Sequence, residues 1–270
     1  MFNNDIRVES VPARVFELCK LVESGAGSTM EIREKLTPST FSNNGTQYFT
    51  FIKDAAIELK LIEEVDGVLS FIGDRNAIKN VDAFRFYCNS VVWKNADTRF
   101  YKLATVFLNS NDKWLKYKSF STSPEVIGEI REKTSDYGFQ SNPHLLGERF
   151  WLSFLGFGFI QSSSNSFVFL PNMYIALKDF IVMANIEKEK EISIADFVEK
   201  INSFASVALK DIFKTKEFNL AMSNALRQLH DNKEIILKRN NDSKDIWYLN
   251  SMESHPIRRE ISHLVLKGVK

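Results

Sequence analysis

The stretch "LKLIEEVDGVLSFIG", residues 59–73, holds two short apolar runs around an Asp-Gly pair. Asp66 and Gly67 suit the two central positions of a type I′ turn, where both residues need positive φ, so Leu61–Val65 and Val68–Ile72 are expected to pair as a hairpin. The run before it, "QYFTFIKDAAIELKL", puts Phe49, Ile52, Ala56 and Leu59 on one helical face. Further out, "STMEIREKL" has Ser28 and Glu31 in capping-box spacing, with Ile32 and Leu36 turned inward. "VPARVFELCKLVESGAG" places Val11, Val15, Leu18 and Val22 at helical spacing. Pro12 sits near its start, where a missing N–H costs little, and Gly25 and Gly27 end it. "TPSTFSNNGT" reads as a loop. The order is helix, helix, helix, hairpin.

That order recurs. "GERFWLSFLGFGFIQSSSNSFVFL" (147–170) is a helix end, a break at Gly156 and Gly158, and a hairpin over a Ser/Asn turn. Upstream, "DTRFYKLATVFLNS" turns Phe100, Leu103, Val106 and Phe107 inward. "STSPEVIGEIREKTSD" supplies a middle helix, with Ser123 as cap and Pro124 first. A third copy is "FNLAMSNALRQLHDNKEIILKRNNDSKDIWYLN". Its helix carries Met222, Leu226 and Leu229 on one face. Glu234–Lys238 and Ile246–Leu249 are expected to pair over the polar turn "RNNDSK". "SIADFVEKI" starts with Ser193 and Asp196 in capping-box spacing, and "NMYIALKDFIVMANIEKEKE" is a first or connecting helix. The hairpins begin near Leu61, Ile160 and Ile235. Their unequal spacing predicts divergent modules at 1–80, 81–185 and 186–270, not a solenoid.

The three units resemble winged helix-turn-helix modules. The fold class expected is mainly α with small β-hairpins, an α+β chain of tandem winged helices. Val11-Pro12-x-Arg14, Leu36-x-Pro38 and the "LKLIE" entry at 59–63 are also similar to the amino-terminal region of the G component of the Dpd islands. Those bacterial loci modify DNA with deazaguanine bases and restrict unmodified DNA. The resemblance covers about a quarter of the chain. It implies a non-enzymatic accessory subunit of a phage-defence or DNA-processing system, working with nuclease or helicase partners.

Composition narrows the classes. The 270 residues are 44% hydrophobic and 26% charged, with 23 Phe but only 11 Gly and 6 Pro, which favours helices over a turn-rich sandwich. No apolar run reaches the roughly 18 residues of a membrane helix, and "MFNNDIRVES" lacks the pattern of a secretory signal. Cys19 and Cys88 suit buried thiols in a cytoplasmic protein. His and Cys show no metal-ligand spacing, and no phosphate loop, His-Glu-x-x-His or nucleophile elbow is present, so no cofactor, metal or catalysis is expected. The adjacent Glu199 and Lys200 suit a solvated helix.

The net charge is +1, split as −3, +2 and +2 over the three thirds. Phosphate contact must therefore come from local clusters. A winged helix reads DNA with its third helix. In the first unit that helix offers Gln47, Tyr48, Thr50, Lys53 and Asp54, but Glu58, Glu63 and Glu64 follow closely and would repel phosphate. The third unit offers Asn219, Ser223, Asn224, Arg227 and Gln228, side chains suited to base edges, and a wing with Lys238, Arg239 and Lys244 suited to phosphate. "NDKWLKYKSF" (111–120) interleaves Lys113, Lys116 and Lys118 with Trp114 and Tyr117. Arg258 and Arg259 form a small basic patch, and Ile261, Leu264 and Leu266 are expected to dock on the body or a partner. Two functions follow: an accessory subunit that binds double-stranded DNA within a defence complex, or a scaffold that docks an ATPase or nuclease without touching DNA.

Overall fold

The computed structural model describes residues 7–25, 27–40, 44–109, 142–163 and 166–268, with Phe2, Gly128 and Glu132. Among them the chain is mainly helical, with small antiparallel sheets. The middle helix expected over "STSPEVIGEIREKTSD" and the "NDKWLKYKSF" stretch lie outside the described residues.

The first unit folds as the local signals require. Helix α1 (Pro12–Glu23) starts on Pro12 and buries Val15, Leu18 and Val22. Helix α2 (Thr29–Leu36) has a complete capping box: Ser28 accepts from the Glu31 N–H, and the Glu31 carboxylate accepts from the Ser28 N–H at 2.7 Å. Helix α3 (Gly45–Glu58) buries Phe49, Ile52, Ala55 and Ala56. Strands β1 (Ile62–Val65) and β2 (Val68–Phe71) pair with Val65 opposite Val68. The turn residues Asp66 and Gly67 have φ of 51° and 78°, as a type I′ turn requires.

Helix α4 (Val81–Val91) leads through a 3-10 turn to α5 (Arg99–Asn109), which buries Phe100, Leu103 and Phe107. Helix α6 (Asn142–Phe154) precedes β3 (Gly158–Ser163) and β4 (Ser166–Pro171), paired from Gly158↔Pro171 to Ser163↔Ser166. Helix α7 (Tyr174–Met183) then runs into β5 (Glu191–Ser193) and α8 (Ile194–Ala205), capped by Ser193. One-turn α9 (Ile212–Thr215) and α10 (Leu220–Asp231) follow, then β6 (Ile235–Lys238), β7 (Trp247–Tyr248), β8 (Glu260–Ile261) and β9 (His263–Leu266).

The expected third hairpin does not form. Strand β6 pairs with β9, not with 246–249; the three-stranded sheet has the order β5-β9-β6, and β7 pairs with β8. The polar "RNNDSK" run suggested a local reversal, but the apolar alternation of Leu264 and Leu266 makes the better partner for Ile235 and Leu237. The distant strand sets Leu266 opposite Ile235 and Leu264 opposite Leu237, a cross-strand pairing of apolar side chains. The carboxy-terminal run is therefore part of this sheet.

Buried apolar side chains form one contiguous cluster from Phe2 to Leu266. Trp151 of α6 is fully buried, meets Phe2 edge-on at 5.0 Å and donates its indole N–H to the Ser10 carbonyl at 2.9 Å. A buried polar knot ties α4 to α7. Asp179 accepts from Asn89 at 2.8 Å and from Arg85 at 3.1 Å, while Trp93 donates to Asn89 Oδ1 at 3.1 Å. Burial raises the Asp179 pKa, and the Arg85 and Asn89 donors oppose the rise.

Candidate interaction site

Helix α10 carries the residues that sequence assigned to base reading, expected to lie away from its apolar face. The structure places them otherwise. Asn219 caps the helix, accepting from the Met222 N–H and donating to the Ala208 carbonyl at 2.9 Å. Ser223 is buried and accepts from the Asn250 N–H at 2.8 Å. Asn224 donates to the Pro171 carbonyl at 3.1 Å, and Gln228 accepts from Asn172 at 2.8 Å. Arg227 is 3% exposed and donates to three backbone carbonyls: Asn250 at 2.6 Å, Arg258 at 2.7 Å and Ile257 at 3.0 Å. Burial lowers its pKa. The polar face of α10 is thus covered by the 249–259 segment and by Pro171 and Asn172. Periodicity marks an apolar face but cannot show whether the opposite face is wet, because Asn, Ser and Arg go inside once their polar atoms find partners.

Two of the three expected wing cations are neutralised within the chain. Lys238 pairs with Glu191 at 2.5 Å and Arg239 with Glu260 at 3.2 Å. Lys53 pairs closely with Glu64. Arg259 meets Glu217 at 2.9 Å and lies over the Tyr248 ring, and Arg258 faces Glu253 at 3.8 Å. Gln47 and Lys244 are exposed.

Among the clefts of the fold, one of about 570 Å³ lies between α2, α3 and the β1–β2 hairpin. Its floor is apolar, built from the buried Ile32 and Phe49 and the half-buried Leu69. Its rim carries Met30 and Val68, 70% and 63% exposed. The Thr29 hydroxyl donates to the Gly67 carbonyl at 2.8 Å and pins the hairpin tip to the start of α2. Glu64 lines the cleft and is tied to Lys53; its neighbour Glu63 points to the opposite face of the strand. Arg33 also lines it, and its side chain's hydrogen bond goes to the Thr46 hydroxyl at a long 3.4 Å. Sequence reading passed over Met30 and Arg33, because a capping box and inward residues explain α2 without them. The available signal was a large apolar side chain on the helix face opposite its core.

Burial pushes the Cys19 thiol up to about 12 and Cys88 well above its ordinary value, which disfavours the thiolate at both. Among the described residues no group of three or more His, Cys, Asp or Glu is placed to hold a metal ion, and no helix is long and apolar enough to cross a membrane. No protein-family model, no curated protein and no solved structure matches the chain.

Proposed function

We propose that the chain is a non-enzymatic adaptor that docks protein partners through tandem winged-helix modules, as a cytoplasmic accessory subunit of a defence or DNA-processing complex. The third unit, with α7 before it as first helix, supports the winged-helix reading: the order α7-β5-α8-α10-β6-β9, into which one-turn α9 and the β7–β8 pair are inserted, and the sheet order β5-β9-β6 fit that topology. The first unit supports it with three helices and a type I′ hairpin. The placement in a defence complex rests on the amino-terminal resemblance to the Dpd G component.

One observation carries the choice of protein over DNA. The helix that a winged helix would insert into the major groove, α10, is covered on its polar face by its own chain. A second reading, direct contact with double-stranded DNA, is favoured by the corner at α9. There Lys210, Lys214 and Lys244 are exposed, with Phe213 53% exposed beside them in sequence. Binding of the full chain to a random-sequence duplex across a salt series decides between them. The adaptor reading expects no binding at physiological salt. Affinity that falls steeply with salt, and drops in a Lys210→Ala/Lys214→Ala/Lys244→Ala variant, would establish the second reading.

A further inference from the structure

We propose that the cleft between α2, α3 and the β1–β2 hairpin seats a partner segment carrying a large apolar side chain next to a carboxylate. The inference rests on the adaptor reading and names its partner's chemistry.

The volume of about 570 Å³ lies within the range of roughly 300–1,000 Å³ usual for ligand clefts. Ile32, Phe49 and Leu69 form a floor that an apolar group can cover, and Met30 and Val68 stand up beside it where water leaves them poorly solvated. A single large side chain seated there would desolvate all five.

The charge balance within the cleft selects the second feature. Glu64 is neutralised by Lys53. On α2, the Glu31 carboxylate is held by the Ser28 N–H and hydroxyl, and Glu34 by the Ser39 N–H and hydroxyl at 2.9 and 3.0 Å. Arg33 is left with a neutral hydroxyl as its hydrogen-bond acceptor. A guanidinium that offers a fork of donors gains most from a carboxylate. Asp66, exposed at the hairpin tip outside the cleft lining, disfavours a phosphate backbone approaching the rim.

The test is selection of random displayed peptides on the immobilised full chain, run in parallel on Arg33→Glu and Val68→Asp. Both substitutions fall at solvent-reaching positions, and circular dichroism checks that each variant folds. The wild type is expected to enrich peptides pairing Leu, Phe, Trp or Met with Asp or Glu. A synthetic peptide of the enriched sequence is expected to bind about tenfold more weakly to Arg33→Ala, the loss of one charge-assisted contact. Val68→Asp is expected to abolish the enrichment. Arg33→Glu is expected to switch it to Lys or Arg, a reversal that a merely structural role for Arg33 would not produce. Enrichment of basic peptides by the wild type, enrichment unchanged across the variants, or no enrichment would each overturn the cleft assignment. Duplex binding on the same preparations separates the two failures. DNA affinity at physiological salt overturns the adaptor reading itself, whereas a negative peptide result without DNA affinity overturns the cleft alone.

Discussion

At the scale of single residues, two buried charges stand out. Glu148 of α6 is fully buried with both carboxylate oxygens unpartnered, and desolvation raises its pKa well above the ordinary value. A carboxyl whose pKa is raised on folding binds a proton that the unfolded chain releases. Its effect on stability is therefore absent below the unfolded value near 4.5 and grows as pH climbs through that value toward the folded one. Stability should fall with rising pH over that window. Glu148→Gln cannot ionise, so it should match the wild type near pH 4 and exceed it by at least about 1 kcal/mol at pH 8, read from urea denaturation at both pH values. Arg227 is the opposite case. Its three carbonyl acceptors hold the 249–259 segment on α10. Arg227→Ala should cost about 3 kcal/mol in the same assay, and Arg227→Lys should recover little of it, since a lysine cannot span three carbonyls with a planar fork. Neither role was legible in sequence: nothing in the helix pattern around Glu148 marks it as buried, and Arg227 carries the pattern of a base-reading side chain.

At the scale of elements, local signals translated directly wherever the interaction was local. The Ser28–Glu31 box, Pro12 at the head of α1 and the Asp66-Gly67 turn each act within four residues, and each is where periodicity and turn chemistry put it. The break at Gly156 is also local, and the structure adds why only glycine serves. Its φ is 83°, and a Cβ there would sit 2.6 Å from the Ile175 Cβ and 2.7 Å from the Ala176 nitrogen. Gly156→Ala should therefore destabilise by about 3 kcal/mol, measured by thermal or urea unfolding, because both the backbone conformation and the packing of α7 resist it. The β6 partner was misjudged for the complementary reason. A hairpin is the shortest closure, but the strand that buries Ile235 and Leu237 arrives from residues 263–266, and nothing in the intervening residues announces a return across that distance.

At the scale of the whole molecule, the three units share one core. Trp151 reaches back to Ser10 and Phe2, Asn172 donates to the Gln228 amide oxygen at 2.8 Å, and Tyr101 donates to Ser206 at 3.0 Å. Unfolding should be a single transition, with near-ultraviolet dichroism, tryptophan fluorescence and calorimetry coinciding; separate transitions would show that the units are energetically independent. The sequence by itself determined α1–α3, α5, α8 and α10, the Ser28 and Ser193 caps and the first hairpin, because these follow from contacts within a turn or two of the chain. Only the tertiary structure decided which polar residues stay in water. The base-reading pattern on α10 is spent on backbone carbonyls of Pro171, Asn250, Ile257 and Arg258, and Lys238 and Arg239 of the wing are neutralised by Glu191 and Glu260. A side chain's chemistry is written locally, but its availability depends on what the rest of the chain lays over it.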